Sequence, residues 1–594
     1  MTYRAPVADI AFTLNHIAGL SGIVGRGLFE DLDTDTVNAI LEEAGRFATE
    51  EIAPTNRAGD SQGARLVNGE VAMPEGFTEA YRKWVEAGWG SVAVPKEHGG
   101  QGLPFGLGMA VFEMWSGANM AFGLNPLLTQ SGVHAIIAHG SPELQQKYLP
   151  KLATGEWTGS MQLTEPQAGS DLRFLKSRAV PVGDGTYKLT GTKIFITYGE
   201  HSMTDNIIHM VLARMPDAPA GTKGISLFLI PKFLVNDDGS LGARNDAYAS
   251  KLEHKLGIHG SPTAVMNFGD KGGAVGWLVD EPNGGLKAML TMMIEARIGV
   301  GVQGVGISER AFQQALAYAR ERKQGAAEGG APDASVAIFE HPDVKRMLMN
   351  MKVKTQAARA ICYTTAVAMD LAHHAPDAAE RRRAHAEAAL LTPIAKAFST
   401  DMGVEVASDG IQVHGGMGFI EETGAAQHYR DARIAPIYEG TNGIQAIDLV
   451  TRKLTANGGE TVRAFIAGLK ETVREVKASN EPAFGHMGER MEASVAALEE
   501  TAAWLQRQLA GNKSAALSGA TPFGRLFGLA AGGVLLAKGA LAAARGADGA
   551  NAGARALEAR HFAENLMCET EGLKHAVSHA HETVMQADAI LGAH

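Results

Sequence analysis

The sequence contains little cysteine: Cys362 and Cys568 are its two thiols in 594 residues, and they lie far apart in the chain. Neither a disulfide framework nor a metal site is expected from such a pair. Basic residues form no extended block and the formal net charge is −11, so we expect no nucleic-acid partner. The N-terminal stretch, which includes Asp9, lacks the apolar core of a secretory signal, and the longest apolar run, 526–537, is too short for a bilayer. We therefore expect a soluble cytoplasmic protein with no membrane partner.

Four blocks of different periodicity follow one another along the chain. Residues 1–155 show apolar residues at helical spacing, broken by Gly-rich loops, which predicts an N-terminal helical domain. Short segments rich in Ile, Val, Phe and Thr then predict a middle β domain over 156–280. From Gly285 the helical period returns, which predicts a helical bundle over 281–455 and an extra C-terminal helical domain over 456–594. The predicted fold class is α+β.

Gly299, Gly301 and Gly304 match the G-x-G-x-x-G spacing of a dinucleotide-binding turn. That motif binds a pyrophosphate where a strand ends and a helix begins. Here the glycines lie inside a predicted helix, and "ISERAFQQALAYARER" continues its pattern. We therefore predict that Gly301, Val305 and Ser308 form a small-residue face against which another helix packs.

Three stretches are candidates for chemistry, although each is ordinary when taken alone. "MQLTEPQAGSDL" (161–172) is a strand end followed by a polar turn, and "TGTKIFITYG" (190–199) is an alternating strand. The third stretch, 411–450, contains "QVHGGMG" and then "IYEGT" before a helix. Apolar Ile437 and Tyr438 would shield Glu439 and raise the pKa of its carboxyl towards that of a useful general base, whereas a lone Glu at a helix start usually serves the helix dipole.

Together, in this order, "TEPQAGSD", "KIFIT", "QVHGGMG" and "IYEGT" resemble the motifs of the acyl-CoA dehydrogenase family over residues 30–455. The extra C-terminal part, with "KLGIHGSPT" and "GTKGISLFLIPK", is similar to the long subfamily. The resemblance implies FAD-dependent α,β-dehydrogenation of a short acyl-CoA thioester. The implied substrate is 3-methylmercaptopropionyl-CoA, an intermediate of dimethylsulfoniopropionate demethylation.

The resemblance also implies residue roles. FAD would be bound within one chain by Met161, Leu163, Thr164, Ser170, Phe195, Ile196, Thr197, Thr441 and Gly443. The FAD of a neighbouring subunit would be contacted by Arg322, Gln412, Gly415 and Gly416. The substrate would be bound by Ser170, Arg297, Tyr438 and Gly440. The sequence departs from the family pattern at two of these places, since Phe195 stands for a tryptophan and Gly443 for a glutamine, and also three residues after Arg322, where Gly325 stands for a phenylalanine.

Glu439 matches the catalytic base of the family. Some members carry the base on a helix instead, at the position that Ala296 occupies here, and Glu295 is one step away and would point elsewhere. The resemblance implies that the base removes the α proton while a hydride leaves the β carbon for the flavin, and that the thioester oxygen accepts a hydrogen bond from the Glu439 N–H. It further implies electron-transfer flavoprotein as the acceptor and a homodimer or tetramer.

Alternatives remain open from the sequence. The chain is also compatible with a short- or medium-chain fatty acyl-CoA dehydrogenase, an acyl-CoA oxidase, or a non-catalytic helical binding protein that has kept the fold. Trp115 and Phe122 suit an acyl pocket or plain core packing equally well. The His and Glu side chains spaced along the last helical stretch favour a solvated helix surface over a metal site. They are Glu571, His575, His579 and Glu582.

Overall fold

The N-terminal part of the chain is mostly helical. The computed structural model describes residues 3–30, 32–331 and 333–592, so the outer ends of the first and last predicted domains lie outside it. The helices are α1 (Val7–Phe12), α2 (Leu20–Gly25), α3 (Thr34–Phe47), α4 (Thr55–Gln62), α5 (Phe77–Glu86), α6 (Phe105–Ala118), α7 (Met120–His139) and α8 (Pro142–Thr154). Helices α6 and α7 are separate because Asn119 between them is extended, and its side chain caps α7 by accepting a hydrogen bond from the Phe122 N–H.

A small hairpin interrupts this helical part, which the helix-and-loop prediction for 1–155 missed. Strands β1 (Arg65–Val67) and β2 (Glu70–Ala72) pair in antiparallel register. Asn68 and Gly69 form the turn with φ values of 53° and 83°. An Asn-Gly pair tolerates two successive positive φ angles, so these two residues were a hairpin signal in the sequence.

The middle of the chain forms a twisted sheet of eight strands. Its order is β10-β11-β5-β12-β7-β6-β3, with β4 also paired to β5, and β3 is parallel to β6 while the other pairs are antiparallel. A further pair, β8 with β9, lies outside this sheet. The strands are β3 (Thr158–Gln162), β4 (Arg178–Pro181), β5 (Tyr187–Thr197), β6 (Ile207–Ala213), β7 (Ser226–Pro231), β8 (Phe233–Val235), β9 (Leu241–Arg244), β10 (Ala247–Leu252), β11 (Thr263–Phe268) and β12 (Ala274–Val279).

Long helices form the bundle that follows. They are α9 (Gly285–Glu321), α10 (Pro342–His374) and α11 (Ala378–His414), with the shorter α12 (Ala425–Ala432) and α13 (Asn442–Asp448). A Cβ at Gly301 would overlap the Ala395 carbonyl, and one at Gly304 would lie 2.5 Å from that of Ser399. The glycine spacing thus serves close packing of α9 on α11, as predicted, and the glycines lie well inside a helix.

The two helices run in the same direction. Gly301 of α9 meets α11 at Ala395, and farther along both helices Tyr318 stacks on His414 with ring centroids 4.4 Å apart. The C-terminal ends of α9 and α11 therefore lie side by side at one end of the bundle.

The extra C-terminal part is helical, as predicted, and the α+β fold class is confirmed. Its helices are α14 (Glu460–Ala478), α15 (Met487–Gly511), α16 (Lys513–Ser518), α17 (Ala520–Ala542), α18 (Ala552–Asn565), α19 (Glu569–His579), α20 (His581–Val584) and α21 (Asp588–Leu591). The central helix α17 packs through Gly528 on Phe398 and through Gly532 on Ala357. Helix α9 and the stretch Ala520–Ala547 are long and apolar enough to cross a membrane, but 67% and 89% of their most apolar windows are buried inside the protein.

The two ends of the chain hold each other. Asp9 of α1 pairs with Lys352 of α10 and, at 2.8 Å, with Arg555 of α18. Lys538 of α17 donates a hydrogen bond of 2.7 Å to the carbonyl of Ile17. One hydrophobic core contains buried residues from the N-terminal segment, the bundle and the C-terminal unit, so the last part of the chain is an integral layer of the molecule.

Candidate active site

Glu439 lies in a loop between α12 and α13, residues 433–441, which we call the Glu439 loop. Its backbone has φ = 59°, an unusual value for a residue with a side chain. Such strain persists where the surroundings enforce it, and it is commonest at functional sites. The Glu439 Oε1 atom is shielded from solvent and no hydrogen-bond donor reaches it within the described residues.

The charge state of Glu439 is finely balanced. Burial raises the pKa of its carboxyl to about 7, against the opposing attraction of Arg297 and Lys396. A carboxylate with this pKa is half ionised at neutral pH, which suits a general base. Arg297 of α9 lies beneath the loop, since its Nη2 atom is 3.6 Å from where a Cβ of Gly440 would stand.

The Glu439 loop is held from below by polar side chains. Lys396 of α11 donates to the Gly440 carbonyl at 2.9 Å, and Gln445 donates to the carbonyls of Glu439 and Gly440 at 3.3 and 3.2 Å. Tyr438 donates to Gln303 of α9 at 2.6 Å. The sequence assigned no role to Lys396, Gln445 or Gln303, because each is an ordinary helical residue until its contacts are seen.

Glu295, the alternative base position, is engaged elsewhere. Its carboxylate pairs with the imidazole of His134 on α7. Glu295 and Arg297 are two positions apart on α9 and so point to nearly opposite sides of that helix. Ala296 between them is buried and carries no acid. The structure leaves Glu439 as the acid that faces Arg297.

Phe195 presents an exposed aromatic ring on strained backbone. It has φ = 59° and is 61% exposed, at a place where the pairing of β5 with β11 shifts register. Thr164 at the end of β3 accepts a hydrogen bond from the Ile194 N–H, so the two strand ends lie together. Ile196 is buried, whereas Thr197, Met161 and Leu163 are half-buried. An exposed ring beside half-buried apolar and hydroxyl groups fits the planar ring of FAD.

The turn that follows Thr164 is fixed by a buried ion pair. Lys193 donates to the Glu165 carboxylate at 2.8 Å, and that carboxylate also accepts from the backbone of Lys176 and Ser177. The turn therefore has a rigid base, and Ser170 stands exposed on it. Sequence reasoning missed the role of Glu165, although it belongs to the quoted "TEPQAGSD".

The sheet and the Glu439 loop share one core. Tyr198, three residues after Phe195, is fully buried and donates to the Ala121 carbonyl at 2.6 Å. Tyr438, next to Glu439, packs against the same hydrophobic cluster. Thr441 accepts the cap hydrogen bond from the Ile444 N–H at the start of α13, with Gly443 exposed beside it. That these residues line one site stays a prediction.

Four predicted FAD residues lie far from the Glu439 loop. Arg322 follows the C-terminal end of α9, 25 positions after Arg297, or about 38 Å at 1.5 Å per residue. Gln412 lies at the adjoining end of α11, and Gly415 and Gly416 follow it, all exposed. One chain therefore does not bring them to its own Glu439 loop, and their contact with the FAD of a neighbouring subunit stays a prediction.

Two other sequence candidates have plain structural settings. Trp115 packs edge-on against Trp89 at 5.3 Å, and Phe122 packs against Phe77 at 6.1 Å, so both serve the aromatic core. Within residues 3–30, 32–331 and 333–592, no three His, Cys, Asp or Glu side chains are grouped to hold a metal ion. The four side chains that the sequence offered for a metal site belong to these described residues and form no such group; they are Glu571, His575, His579 and Glu582.

Four family models match consecutive parts of the chain. They are the acyl-CoA dehydrogenase N-terminal domain over 34–156, the middle domain over 160–271, the C-terminal domain over 283–454, and an acetyl-CoA dehydrogenase C-terminal-like domain over 460–588.

Individual relatives resemble the chain along most of its length. It is 46% identical over 573 residues to 3-methylmercaptopropionyl-CoA dehydrogenase of Ruegeria pomeroyi, covering 96% of this chain and 97% of that protein. It is 36% identical over 508 residues to a butyryl-CoA dehydrogenase of Syntrophomonas wolfei, covering 84% and 83%. The crystal structure of Caenorhabditis elegans ACDH-11 in complex with C11-CoA shares the fold, with a TM-score of 0.80 at 19% identity over 100% of this chain and 96% of that one.

Proposed function

The chain belongs to the acyl-CoA dehydrogenase family, and from that premise we propose that it oxidises 3-methylmercaptopropionyl-CoA with Glu439 as the base. FAD-dependent dehydrogenation of an acyl-CoA thioester is the activity of this family and of this chain. The observation that carries the assignment of the base is the shielded Glu439 carboxylate, on strained backbone, with its pKa raised to about 7.

The residues of the site divide the work between proton removal and charge stabilisation. The Glu439 carboxylate takes the α proton of the thioester, and the electron pair left on the α carbon forms the new double bond. The Glu439 backbone N–H donates to the thioester oxygen and so stabilises the negative charge that develops there. FAD, when bound, supplies the acceptor for the hydride that leaves the β carbon. The product is the 2-enoyl thioester, methylthioacryloyl-CoA.

The identity of the acyl group is supported by the relatives. The Ruegeria protein matches almost the whole chain at 46% identity, ten points above the Syntrophomonas enzyme. A thioether sulfur at the γ position is nearly isosteric with a methylene, so butyryl-CoA resembles this substrate with one chain atom fewer. A hydrophobic pocket discriminates a difference of one methylene weakly, by about 10- to 200-fold. Butyryl-CoA, the substrate named for the Syntrophomonas enzyme, is therefore the second candidate substrate.

We also propose that the enzyme is a homodimer or a homotetramer. Arg322, Gln412, Gly415 and Gly416 of one subunit would contact the FAD of the next. Electron-transfer flavoprotein is the proposed acceptor, because flavin shielded by a CoA thioester needs a protein partner to draw off its electrons. We propose that the enzyme is located in the cytoplasm.

Anaerobic mixing of the FAD-loaded protein with 3-methylmercaptopropionyl-CoA, butyryl-CoA and octanoyl-CoA tests the proposed function. We expect flavin bleaching with the first two and the highest kcat/KM with the first. A higher kcat/KM with butyryl-CoA would overturn the substrate, and flavin unchanged by all three would overturn the function. Stoichiometric hydrogen peroxide in air would identify an oxidase instead.

A further inference from the structure

Lys396 is a lysine completely enclosed by protein beneath the Glu439 loop. It lies in the middle of α11, its side chain has no exposed surface, and it was not among the residues that the sequence singled out. Its Nζ donates to the Gly440 carbonyl at 2.9 Å and to Asn442 Oδ1 at 2.8 Å. Both acceptors lie within three residues of the proposed base.

Burying an ammonium group is costly unless an opposite charge lies nearby. Burial lowers the pKa of Lys396 to about 7, and the carboxylates of Glu439 and Asp401 oppose that shift, while Arg297 adds to it. Glu439 is thus a charge partner of Lys396. The same attraction offsets part of the rise that burial causes in the pKa of Glu439. A neutral side chain would fill this space at less cost if packing were its purpose.

The surrounding hydrogen bonds are arranged around Lys396. Asn442 turns its carbonyl to the ammonium because its Nδ2 donates to the Asp401 carboxylate at 2.7 Å and to the Ala397 carbonyl at 3.1 Å. The Gly440 carbonyl is fixed by Lys396 and, more weakly, by Gln445. Removing Lys396 would leave two half-buried acceptors poorly paired beside the residue that holds the unusual φ angle.

We propose that Lys396 is a positioning residue of the reaction, which fixes the Glu439 loop through Gly440 and Asn442 and sets a positive charge beneath the base. The proposal rests on Glu439 being the base. The charged groups that face this point are Glu439 in the loop, Arg297 from α9 and Asp401 from α11. Loss of the ammonium removes an attraction that favours the ionised carboxyl of Glu439. The acidic limb of the pH profile of the flavin-reduction rate therefore moves to higher pH.

The variants Lys396→Met, Lys396→Arg and Asn442→Ala separate charge from hydrogen bonding. The FAD-loaded proteins are mixed anaerobically with substrate between pH 5.5 and 9, and the rate of flavin reduction is measured. We expect Lys396→Met to shift the acidic limb upward by about one pH unit. Lys396→Arg and Asn442→Ala should slow reduction and leave the limb where it is in the wild type, since both keep the charge.

A second measurement does not depend on turnover. Amide hydrogen exchange in residues 439–442 should be about tenfold faster in Lys396→Met and in Asn442→Ala, and unchanged in the buried strand β7, which carries no proposed site residue. An unmoved limb in Lys396→Met with wild-type exchange would overturn the proposal. If Lys396→Met does not retain FAD, Lys396→Gln takes its place with the same expected shift.

Glu439→Gln distinguishes the two levels of the argument. If that variant reduces its flavin normally, the assignment of Glu439 as the base fails, and the role of Lys396 fails with it. If it is inactive while Lys396→Met keeps both the wild-type limb and wild-type exchange, only the role of Lys396 fails.

Discussion

Replacing Glu439 with glutamine should abolish substrate-driven flavin reduction while leaving the fold and the bound FAD intact. Glutamine has nearly the same size as glutamate but cannot take the α proton. A positioned general base contributes about 10²- to 10⁴-fold. Since Glu295 pairs with His134 and Ala296 carries no acid, we expect the upper end, about 10⁴-fold, or ~5.5 kcal/mol of activation free energy.

The stability of the same variant provides an internal control. Burial raises the pKa of the Glu439 carboxyl from 4.5 to about 7, so between these pH values the folded protein holds a proton that the unfolded chain has lost. The free energy of unfolding of the wild type therefore falls as pH rises through this window, by about 3 kcal/mol in all. Glutamine does not titrate, so Glu439→Gln should equal the wild type near pH 4.5 and exceed it in stability at pH 8.

Two assays check these expectations. Anaerobic stopped-flow absorbance at the flavin band gives the reduction rate, and urea unfolding at pH 5 and pH 8 gives the stability difference. Reduction within tenfold of the wild-type rate at pH 7 would refute the assignment of the base. A stability difference between Glu439→Gln and the wild type that does not grow from pH 5 to pH 8 would refute the burial of an ionisable carboxyl at this place.

Three further perturbations probe other parts of the site. Glu295→Gln should reduce flavin within about twofold of the wild-type rate, because the partner of Glu295 is His134, but its melting temperature by circular dichroism should be lower. A loss of flavin-reduction rate comparable to that of Glu439→Gln would contradict the division of roles on α9. Phe195→Ala should weaken FAD binding about tenfold or more by fluorescence titration, and Phe195→Trp should restore it, whereas equal affinities would show that the exposed ring makes no contact with the cofactor. Arg322→Ala and Glu439→Gln should each be inactive alone, yet coexpressed chains should recover up to one working site per mixed dimer, and absence of any recovery would place Arg322 outside the shared site.

Strong periodicity made the large-scale architecture predictable. The helical period from Gly285 and the β-rich segments from residue 156 gave the bundle and the sheet, and the context of Gly301 and Gly304 identified helix packing where the spacing alone suggested a nucleotide turn. The hairpin at Asn68 was missed because its strands are only three residues long, too short for an alternating pattern to develop.

The site was predictable only as far as its motifs reached. Glu439 and Phe195 were found through the resemblance, but their positive φ angles have no signature in side chains that ordinarily avoid that region. Lys396 could not be found at all. A lysine in a long helix is normally a surface residue, and its burial follows from tertiary packing of α11 on the Glu439 loop.

The salt bridge between Asp9 and Arg555 joins two residues that are synthesised at very different times. The acid leaves the ribosome more than five hundred residues before its guanidinium partner does. At about 5–20 residues per second, that interval lasts roughly half a minute to two minutes. The apolar faces of α10 and α11 that α17 covers are open to water from their own emergence until α17 has been made, more than one hundred residues after α11 ends, so the core closes only when the last part of the chain arrives.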